Sequence, residues 1–216
     1  MDIKIRIILN MPTTVNQLSD SYNLPLDKRV KWNERISTQD EGVYIVSLSE
    51  ESGRNNGIQK SPPISRDIIR KWIKKVDGFE IDKIKTFDTG KVIERLSQFW
   101  LPDENILYIG KAPRRSSGKG IGNRIREYYK TKYGEKRPHA GGHWLKSLII
   151  LDELFVYYTT CENPGEIEEG MLRFFCNNVS DSTRSILRDK ELPLPFANLQ
   201  LRRGQFKNHG LGKMKK

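Results

Sequence analysis

Cysteine and histidine are scarce in this chain of 216 residues, which has two of the former and three of the latter. Cys161 and Cys176 form no CxxC pair and have no histidine cluster nearby. A disulfide framework or a structural zinc site needs several such residues at short, regular separations, and this sequence offers none. We expect both thiols to be ordinary packing residues.

Long apolar runs are missing as well. No stretch approaches the about 18 consecutive apolar residues of a membrane-spanning helix. The apolar part of the N-terminus, MDIKIRIILNMPTT, is too short for a secretory signal. We therefore expect a soluble, cytoplasmic protein without a membrane partner, with one main domain and room for an insertion.

Acidic residues are outnumbered. The chain has 38 Lys and Arg against 27 Asp and Glu, a net charge of +11 and a pI near 9.6. The excess is concentrated, since residues 111–146 contain eleven basic and two acidic residues, and the tail from Arg202 has six basic residues and no acid. Such a distribution is typical of a polyanionic partner, although membrane surfaces and acidic proteins also attract basic patches.

Three runs rich in β-branched and aromatic residues, VYIVSLS, NILYIGK and LFVYYTT, predict strands. Apolar residues at helical spacing predict helices between and after them, at residues 65–76, 89–100, 121–129, from about 143, and 164–178. This order predicts an α+β domain. We divide the chain into an N-terminal extension at 1–35, a main domain at 36–200 with a helical insertion at 50–104, and a basic tail at 201–216.

Two of the predicted strands carry a tyrosine close to a glycine, in Gly42-Val43-Tyr44 and in Tyr108-Ile109-Gly110. Either tripeptide alone is weak evidence, because a strand tyrosine is usually a packing residue. The residues that follow the tripeptides in order along the chain give them more weight.

Together these residues resemble the GIY-YIG nuclease family, whose name describes the two tripeptides. The first appears here as GVY and the second as YIG. The resemblance covers about residues 36 to 200, interrupted by insertions. It implies a small three-stranded antiparallel sheet flanked by helices, with the helical insertion between the first two core strands.

The family follows its YIG strand with a helix that carries an arginine, and Arg124 in IGNRIREYY resembles it. Tyr128, one turn later, takes the place of a supporting His or Tyr. Lys111, directly after YIG, matches a lysine found there in several members.

A later helix of the family carries a single glutamate, and IEEGMLRFF is similar to it in a register that selects Glu168. Asn198 in PFAN resembles the asparagine that ends the family core, with Asn177 and Asn178 as rivals. Tyr44 and Tyr108 are much farther apart than in compact members, which the insertion accounts for.

Phosphodiester hydrolysis needs an activated water, charge neutralisation at the phosphate and a stabilised leaving oxygen. Glu168 could hold one Mg²⁺ (or Mn²⁺) largely through water, since Mg²⁺ needs only one or two protein carboxylates. Arg124 offers a planar fork for phosphate. The resemblance implies that Tyr44 is the general base and Tyr108 orients water or phosphate, with the opposite assignment open. Lys111 and Arg124 would help to stabilise a phenolate.

Further residues of the basic segments are expected to contact nucleic acid. They are Lys111, Arg114, Arg115, Lys119, Arg126, Lys130, His139, His143, Arg202 and Arg203. For His139 and His143, packing is the alternative, because no Cys or acidic partners at metal-ligand spacing accompany them.

The sequence thus predicts a metal-dependent endonuclease that acts on DNA, with RNA not excluded and with a restriction or mobile-element role open. A double-strand cutter of this type is expected to dimerise on DNA or to act twice. The chief alternative is a non-catalytic nucleic-acid-binding protein on the same scaffold. A membrane-surface module would need a basic amphipathic helix with a broad exposed apolar face, and the apolar positions of residues 65–76 fit a core better.

Overall fold

The computed structural model describes residues 12–26, 28–114, 120–133 and 142–213 of the chain. The strands in this part are β1 Lys28–Lys31, β2 Gly42–Ser47, β3 Phe79–Ile81, β4 Ile84–Thr86, β5 Ile106–Ala112, β6 Phe155–Thr160, β7 Gln200–Arg202, β8 Gln205–Phe206 and β9 Leu211–Lys213. The α-helices are α1 Val15–Asp20, α2 Arg66–Val76, α3 Thr89–Ser97, α4 Ile121–Lys130, α5 Gly142–Lys146, α6 Pro164–Asn178 and α7 Asp181–Ile186, and a 3-10 turn spans Leu151–Glu153. The predicted α+β class is confirmed.

The main sheet is antiparallel and is built around β2, all of whose residues are buried. Its strand order is β1-β6-β2-β5. Strand β2 pairs with β5 so that Tyr44 lies opposite Gly110, and with β6 so that Tyr44 lies opposite Tyr158. The two tripeptides are therefore on neighbouring strands, and β5 is an edge strand of the sheet.

The sheet has four strands, so the expectation of three was wrong. The additional strand is β1, whose sequence KRVK is mostly exposed and shows no apolar alternation. It pairs with β6 from Lys28 opposite Tyr158 to Lys31 opposite Phe155. Lysines on a sheet edge discourage unwanted pairing with other chains. Part of the expected N-terminal extension thus belongs to the main sheet.

The side chains of β2 point alternately to the two faces of the sheet, and an apolar core lies on each face. Val43 and Ile45 lie in the core that helix α6 completes with Met171, Leu172 and Phe175. On the other face, Tyr44 and Val46 lie in the core to which helix α4 contributes Ile121, Ile125 and Tyr128. The helices that carry Glu168 and Arg124 thus pack mainly on opposite faces.

The insertion between β2 and β5 contains helices α2 and α3, but it is not purely helical. Ser65 is the N-cap of α2, and its side chain accepts a hydrogen bond from the Ile68 N–H. The helix ends at Val76, and Asp77 follows in the left-handed conformation. A short hairpin, β3-β4, follows and turns through Asp82 and Lys83, both with positive φ. The prediction of a helical pair is correct for α2 and α3 and missed the hairpin.

The described part of the expected basic tail is structured. Strands β7 and β8 form a hairpin, and β9 pairs with β3 of the insertion. Between them, Lys207 is buried and its ammonium donates hydrogen bonds to the carbonyl oxygens of Pro195 and Phe196, each at 2.9 Å. Hydrogen bonds and strand pairing therefore attach residues 200–213 to the rest of the fold.

Within the described ranges, no helix combines the length and apolar character needed to cross a membrane.

Candidate active site

Gly110 allows the two motif tyrosines to pack together. A Cβ atom at Gly110 would lie 2.5 Å from the ring of Tyr108 and 2.6 Å from the ring of Tyr44. Because Tyr44 lies opposite Gly110, its ring crosses the end strand β5 where that strand has no side chain. The two ring centroids are 5.8 Å apart, and the Tyr44 hydroxyl lies within 2.8 Å of where that Cβ would be.

Helix α4 adds Arg124 and Tyr128 to the tyrosine pair. The Tyr128 ring lies edge-on to Tyr108 at 5.2 Å and to Tyr44 at 6.4 Å. The guanidinium of Arg124 forms a hydrogen bond with the Tyr44 hydroxyl and an ion pair with Glu127 at 3.5 Å. One helical turn separates Arg124 from Tyr128, so one face of α4 presents both to the site.

Two glycines fix the start of α4, and the sequence analysis gave them no role. A Cβ at Gly120 would lie 2.0 Å from the Asp40 carbonyl oxygen, and one at Gly122 would lie 2.3 Å from the Ile36 carbonyl oxygen. Backbone hydrogen bonds from Ile121 and Gly122 also join the helix to residues 38–40. The GKGIG sequence before the helix was the available signal for this close approach.

Glu168 lies in helix α6, which begins with Pro164 at its first turn. Its carboxylate forms an ion pair with the Lys111 ammonium on β5 at 2.7 Å. It is close enough to Tyr44 and Tyr108 for its charge to raise the pKa of both phenols. Although α6 packs mainly on the other face, its acid therefore reaches the tyrosines at the end strand.

Burial dominates the electrostatics of this site. Tyr44 and Tyr128 are fully buried and Tyr108 is nearly so, and loss of solvent raises the pKa of all three phenols above the ordinary range. Arg124 opposes this shift at each phenol. Burial also raises the pKa of Glu168, and Lys111 is the main group that lowers it. The phenols are neutral near pH 7 in this state.

Asn198 does not have the catalytic position expected for it. Its Oδ1 accepts from the Ile109 N–H at 2.9 Å and its Nδ2 donates to the Ile109 carbonyl at 2.7 Å, while the side chain is buried. Both ends of the amide thus bind the backbone of the YIG tripeptide, and Asn198 is a positioning residue. Its rivals lie at the end of α6, where Asn177 is exposed and Asn178 donates to the Phe174 carbonyl.

The residues expected to contact nucleic acid differ in accessibility. Arg114, Arg126, Lys130, Arg202 and Arg203 are exposed, and Lys111 is partly exposed beside Glu168. Arg115, Lys119 and His139 lie outside the described residues.

His143 is corrected to a packing residue, because it is 1% exposed. Its Nε2 lies 2.9 Å from the Lys132 carbonyl oxygen, and its ring lies 5.2 Å from that of Trp72. It therefore offers no surface to a ligand.

No group of three or more His, Cys, Asp or Glu that could hold a metal occurs in the described ranges. Glu168 nevertheless fits a hydrated Mg²⁺, which needs as little as one protein carboxylate. Its side chain retains 14% exposure, and Lys111 is its one ion-pair partner among the residues that the structure describes, so water can complete the coordination. A site for a weakly hydrated or thiol-bound metal is not supported by this donor set.

The arrangement combines an acid, a guanidinium, an ammonium and three phenols at one end of the main sheet. Comparison with protein-family models, with curated proteins and with solved structures found no match to this chain. The motif residues and their geometry are therefore the features of this chain that point to a function.

Proposed function

We propose that this chain is a metal-dependent endonuclease that hydrolyses phosphodiester bonds in DNA by GIY-YIG-type chemistry. One observation carries the proposal: Tyr44 and Tyr108 pack together and against helix α4, which carries Arg124, beside the part of strand β5 where Lys111 pairs with Glu168 at 2.7 Å. A packing role explains a buried tyrosine. It does not explain why the charges of Glu168 and Arg124 both influence the pKa of the same two phenols.

Each residue has a distinct part in the proposed reaction. Arg124 binds and neutralises the scissile phosphate through its planar guanidinium. Glu168 would hold Mg²⁺ through its one carboxylate, with water as the other ligands. The metal, when bound, supplies positive charge at the developing alkoxide. Lys111 opposes the rise that burial causes in the pKa of Glu168 and adds to the positive field at the phosphate.

Burial keeps both phenols neutral in this state, so the general base must first lose its proton, and the electrostatics favour Tyr44 over Tyr108 for that loss. Arg124 is the main group that lowers the pKa of Tyr44 and also forms a hydrogen bond with it. Charge on Tyr44 and Tyr128 instead raises the pKa of Tyr108, and Arg124 is the smallest of its influences. The phenol beside the guanidinium is thus the easier one to deprotonate, and Tyr108 is left to orient water or phosphate through its neutral hydroxyl.

The test compares Glu168→Gln with Glu169→Gln in a plasmid-nicking assay with Mg²⁺ or Mn²⁺. Glu169 lies on the same helix and pairs with Arg173 at 2.7 Å, so this variant loses an equal charge outside the site. We expect nicking by wild type and Glu169→Gln, and a loss of about 10²-fold or more in Glu168→Gln, the scale of removing one transition-state contact. Equal nicking by all three proteins would remove the proposed metal site.

A non-catalytic nucleic-acid-binding protein is the second candidate. The full burial of Tyr44 and the existing ion pair between Glu168 and Lys111 favour it, because both groups are satisfied without substrate. Such a protein would bind DNA or RNA with an affinity that falls steeply with salt and would show no turnover at any metal concentration. Parallel assays on single- and double-stranded DNA and RNA separate the two candidates and identify the substrate class.

A further inference from the structure

Helix α4 borders a pocket on the side away from Tyr44, Tyr108 and Tyr128. A cavity of about 490 Å³ lies between α4 and the segment 33–39, and we call it the α4 pocket. Arg126 is two positions from Arg124, so the two side chains point to opposite sides of the helix. The helix is about 10 Å wide, so a strand that crosses it can occupy both sites.

The wall of the α4 pocket is held in place by backbone contact. Gly122 brings α4 against the carbonyl oxygens of Ile36 and Thr38. Tyr129 lines the pocket and packs edge-on against the buried Trp32, with ring centroids 4.8 Å apart. These contacts form the cavity before any ligand arrives, and its volume lies in the range of small-molecule sites.

Polar groups in the α4 pocket are oriented by a hydrogen-bonded chain. Arg126 donates to the Asn123 Oδ1, and the Asn123 Nδ2 donates to the Gln39 Oε1. Asn123 is 9% exposed, whereas Gln39 and Arg126 are exposed. The Gln39 Nε2 also donates to the Ser37 carbonyl oxygen at 3.3 Å. Each amide is thus held in one orientation and keeps one donor hydrogen and one acceptor lone pair for a ligand with its own donors and acceptors.

The α4 pocket has an excess of positive charge. Three cations line it, Arg35, Arg126 and Lys130, against one carboxylate, Glu34. Neither Arg35 nor Lys130 has a carboxylate within ion-pair distance in the part of the chain that the structure describes. Cations beside oriented amides suit a ligand with both a phosphate and a polar heterocycle, because amide side chains bond base edges and guanidinium and ammonium groups bind phosphates.

We propose that the α4 pocket binds one nucleotide of the substrate strand next to the cleaved bond, its base against Gln39 and Asn123 and its phosphate against Arg126 and Lys130. The strand part of this proposal rests on the proposed function, whereas the nucleotide chemistry rests on the pocket itself. A bound nucleotide would fix the register of the strand, so that Arg124, on the other side of α4, meets the neighbouring phosphate.

The first experiment measures binding of the four deoxynucleoside monophosphates and of inorganic phosphate by calorimetry without metal. The double variant Arg126→Ala/Lys130→Ala is compared with Lys28→Ala/Lys190→Ala, which removes two exposed lysines elsewhere. We expect wild type to bind at least one nucleotide more tightly than phosphate, the pocket variant to bind it about tenfold more weakly, and the control to stay within about twofold. Unchanged binding by the pocket variant, or equal binding of phosphate and nucleotides, overturns the proposal.

A third variant, Gln39→Leu, keeps the charge and removes the exposed amide. We expect it to weaken nucleotide binding and to leave phosphate binding unchanged. Equal loss of both ligands would mean that the base is not recognised, which contradicts the proposal.

The second experiment separates a strand nucleotide from a free one. In oligonucleotide cleavage, Arg126→Ala/Lys130→Ala should raise KM about tenfold with kcat changed far less, and the tightest-binding monophosphate should compete. Nucleotide binding with an unchanged KM overturns the strand assignment and identifies a free nucleotide as the ligand. Absence of cleavage by wild type with intact nucleotide binding overturns the proposed function and supports the pocket, so the two failures are distinguishable.

Discussion

Strand β5 is built differently along its length. Near Leu107 and Ile109, the segment that contains Ala197 and Asn198 covers the open side of the strand with backbone and amide hydrogen bonds. Near Gly110 and Lys111 side chains make the characteristic contacts, among the phenols, Glu168 and Arg124, and the Lys111 backbone also bonds Glu168. We call these the sealed end and the reactive end of β5.

The two ends also use a lysine differently. Lys207, under the sealed end, is buried and donates to two carbonyl oxygens, whereas Lys111 at the reactive end is 44% exposed and pairs with a carboxylate. A cation bound to two backbone carbonyl oxygens fixes the segment that carries them, here Pro195 and Phe196. A cation bound to a part-buried acid can exchange that partner for a metal or a phosphate, which is why we assign function to one end and stability to the other.

The largest expected effect separates the ends by activity. Arg124→Lys keeps the charge but loses the planar fork, so we expect nicking to fall by about 10²-fold or more with little change in the melting temperature. Arg173→Lys on α6 is the matched control, since its arginine pairs only with Glu169 among the described residues. Plasmid nicking and thermal unfolding of both variants are the measurements. A loss of activity that merely follows a loss of stability would assign Arg124 to packing.

Gly110→Ala tests whether the reactive end needs its close packing. The added methyl would lie 2.5 and 2.6 Å from two rings, so we expect a destabilisation of about 1–3 kcal/mol together with a loss of nicking per folded molecule. Gly165→Ala is the control, because its nearest neighbour, the Lys111 ammonium, is 3.8 Å away. Urea unfolding and nicking rates measure both effects. Wild-type behaviour of Gly110→Ala would contradict the packing of Tyr44 over β5.

Asn198→Ala tests the sealed end. It leaves the N–H and carbonyl of Ile109 without their side-chain partner in a buried position, so we expect a loss of about 1–3 kcal/mol in the free energy of unfolding. Asn177→Ala, at an exposed position on α6, should change stability little. Urea unfolding gives the stability, and nicking rates normalised to folded protein show how far the sealed end positions the reactive end. Equal stability of both variants would contradict the assignment.

The sequence predicted the parts of the fold that carry local patterns. The apolar runs of β2, β5 and β6 and the helical spacing of α2 identified these elements because each buries its own side chains. Strand β1 was missed because its KRVK sequence is held by backbone pairing with β6 and shows no alternation. The small sheet was missed because β9 comes from the far end of the chain to pair with β3, a contact that leaves no local signal.

For the candidate site too, the sequence predicted some features and missed others. The resemblance to the GIY-YIG family selected Tyr44, Tyr108, Arg124 and Glu168. In the structure the two tyrosines pack against the helix of Arg124, and Glu168 pairs with Lys111 beside Gly110. The sequence could not give the role of Asn198, because that role depends on a contact 89 positions away. It also could not decide whether His143 lies on the surface or in the core, because its partners come from other elements. Their functional roles remain predictions that the nicking assays test.

The last expected effect concerns the pH dependence of stability at the sealed end. Burial lowers the pKa of Lys207 to about 7, although Cys176 and Asp189 partly oppose this. The unfolded lysine keeps an ordinary pKa of about 10.4, so between pH 7 and that value the unfolded chain binds a proton that the folded chain lacks, and stability rises with pH. Lys207→Met should reduce that rise, while Lys190→Met at an exposed position should not. Urea unfolding at pH 7 and pH 9 measures the change in stability of each protein. Burial raises the pKa of the Cys176 thiol to about 12, and because all the variants retain this thiol, its contribution largely cancels when they are compared. Identical slopes for wild type and Lys207→Met would mean that the ammonium stays protonated on its two carbonyls across this range, and the sealed end would then hold a charge as the reactive end does.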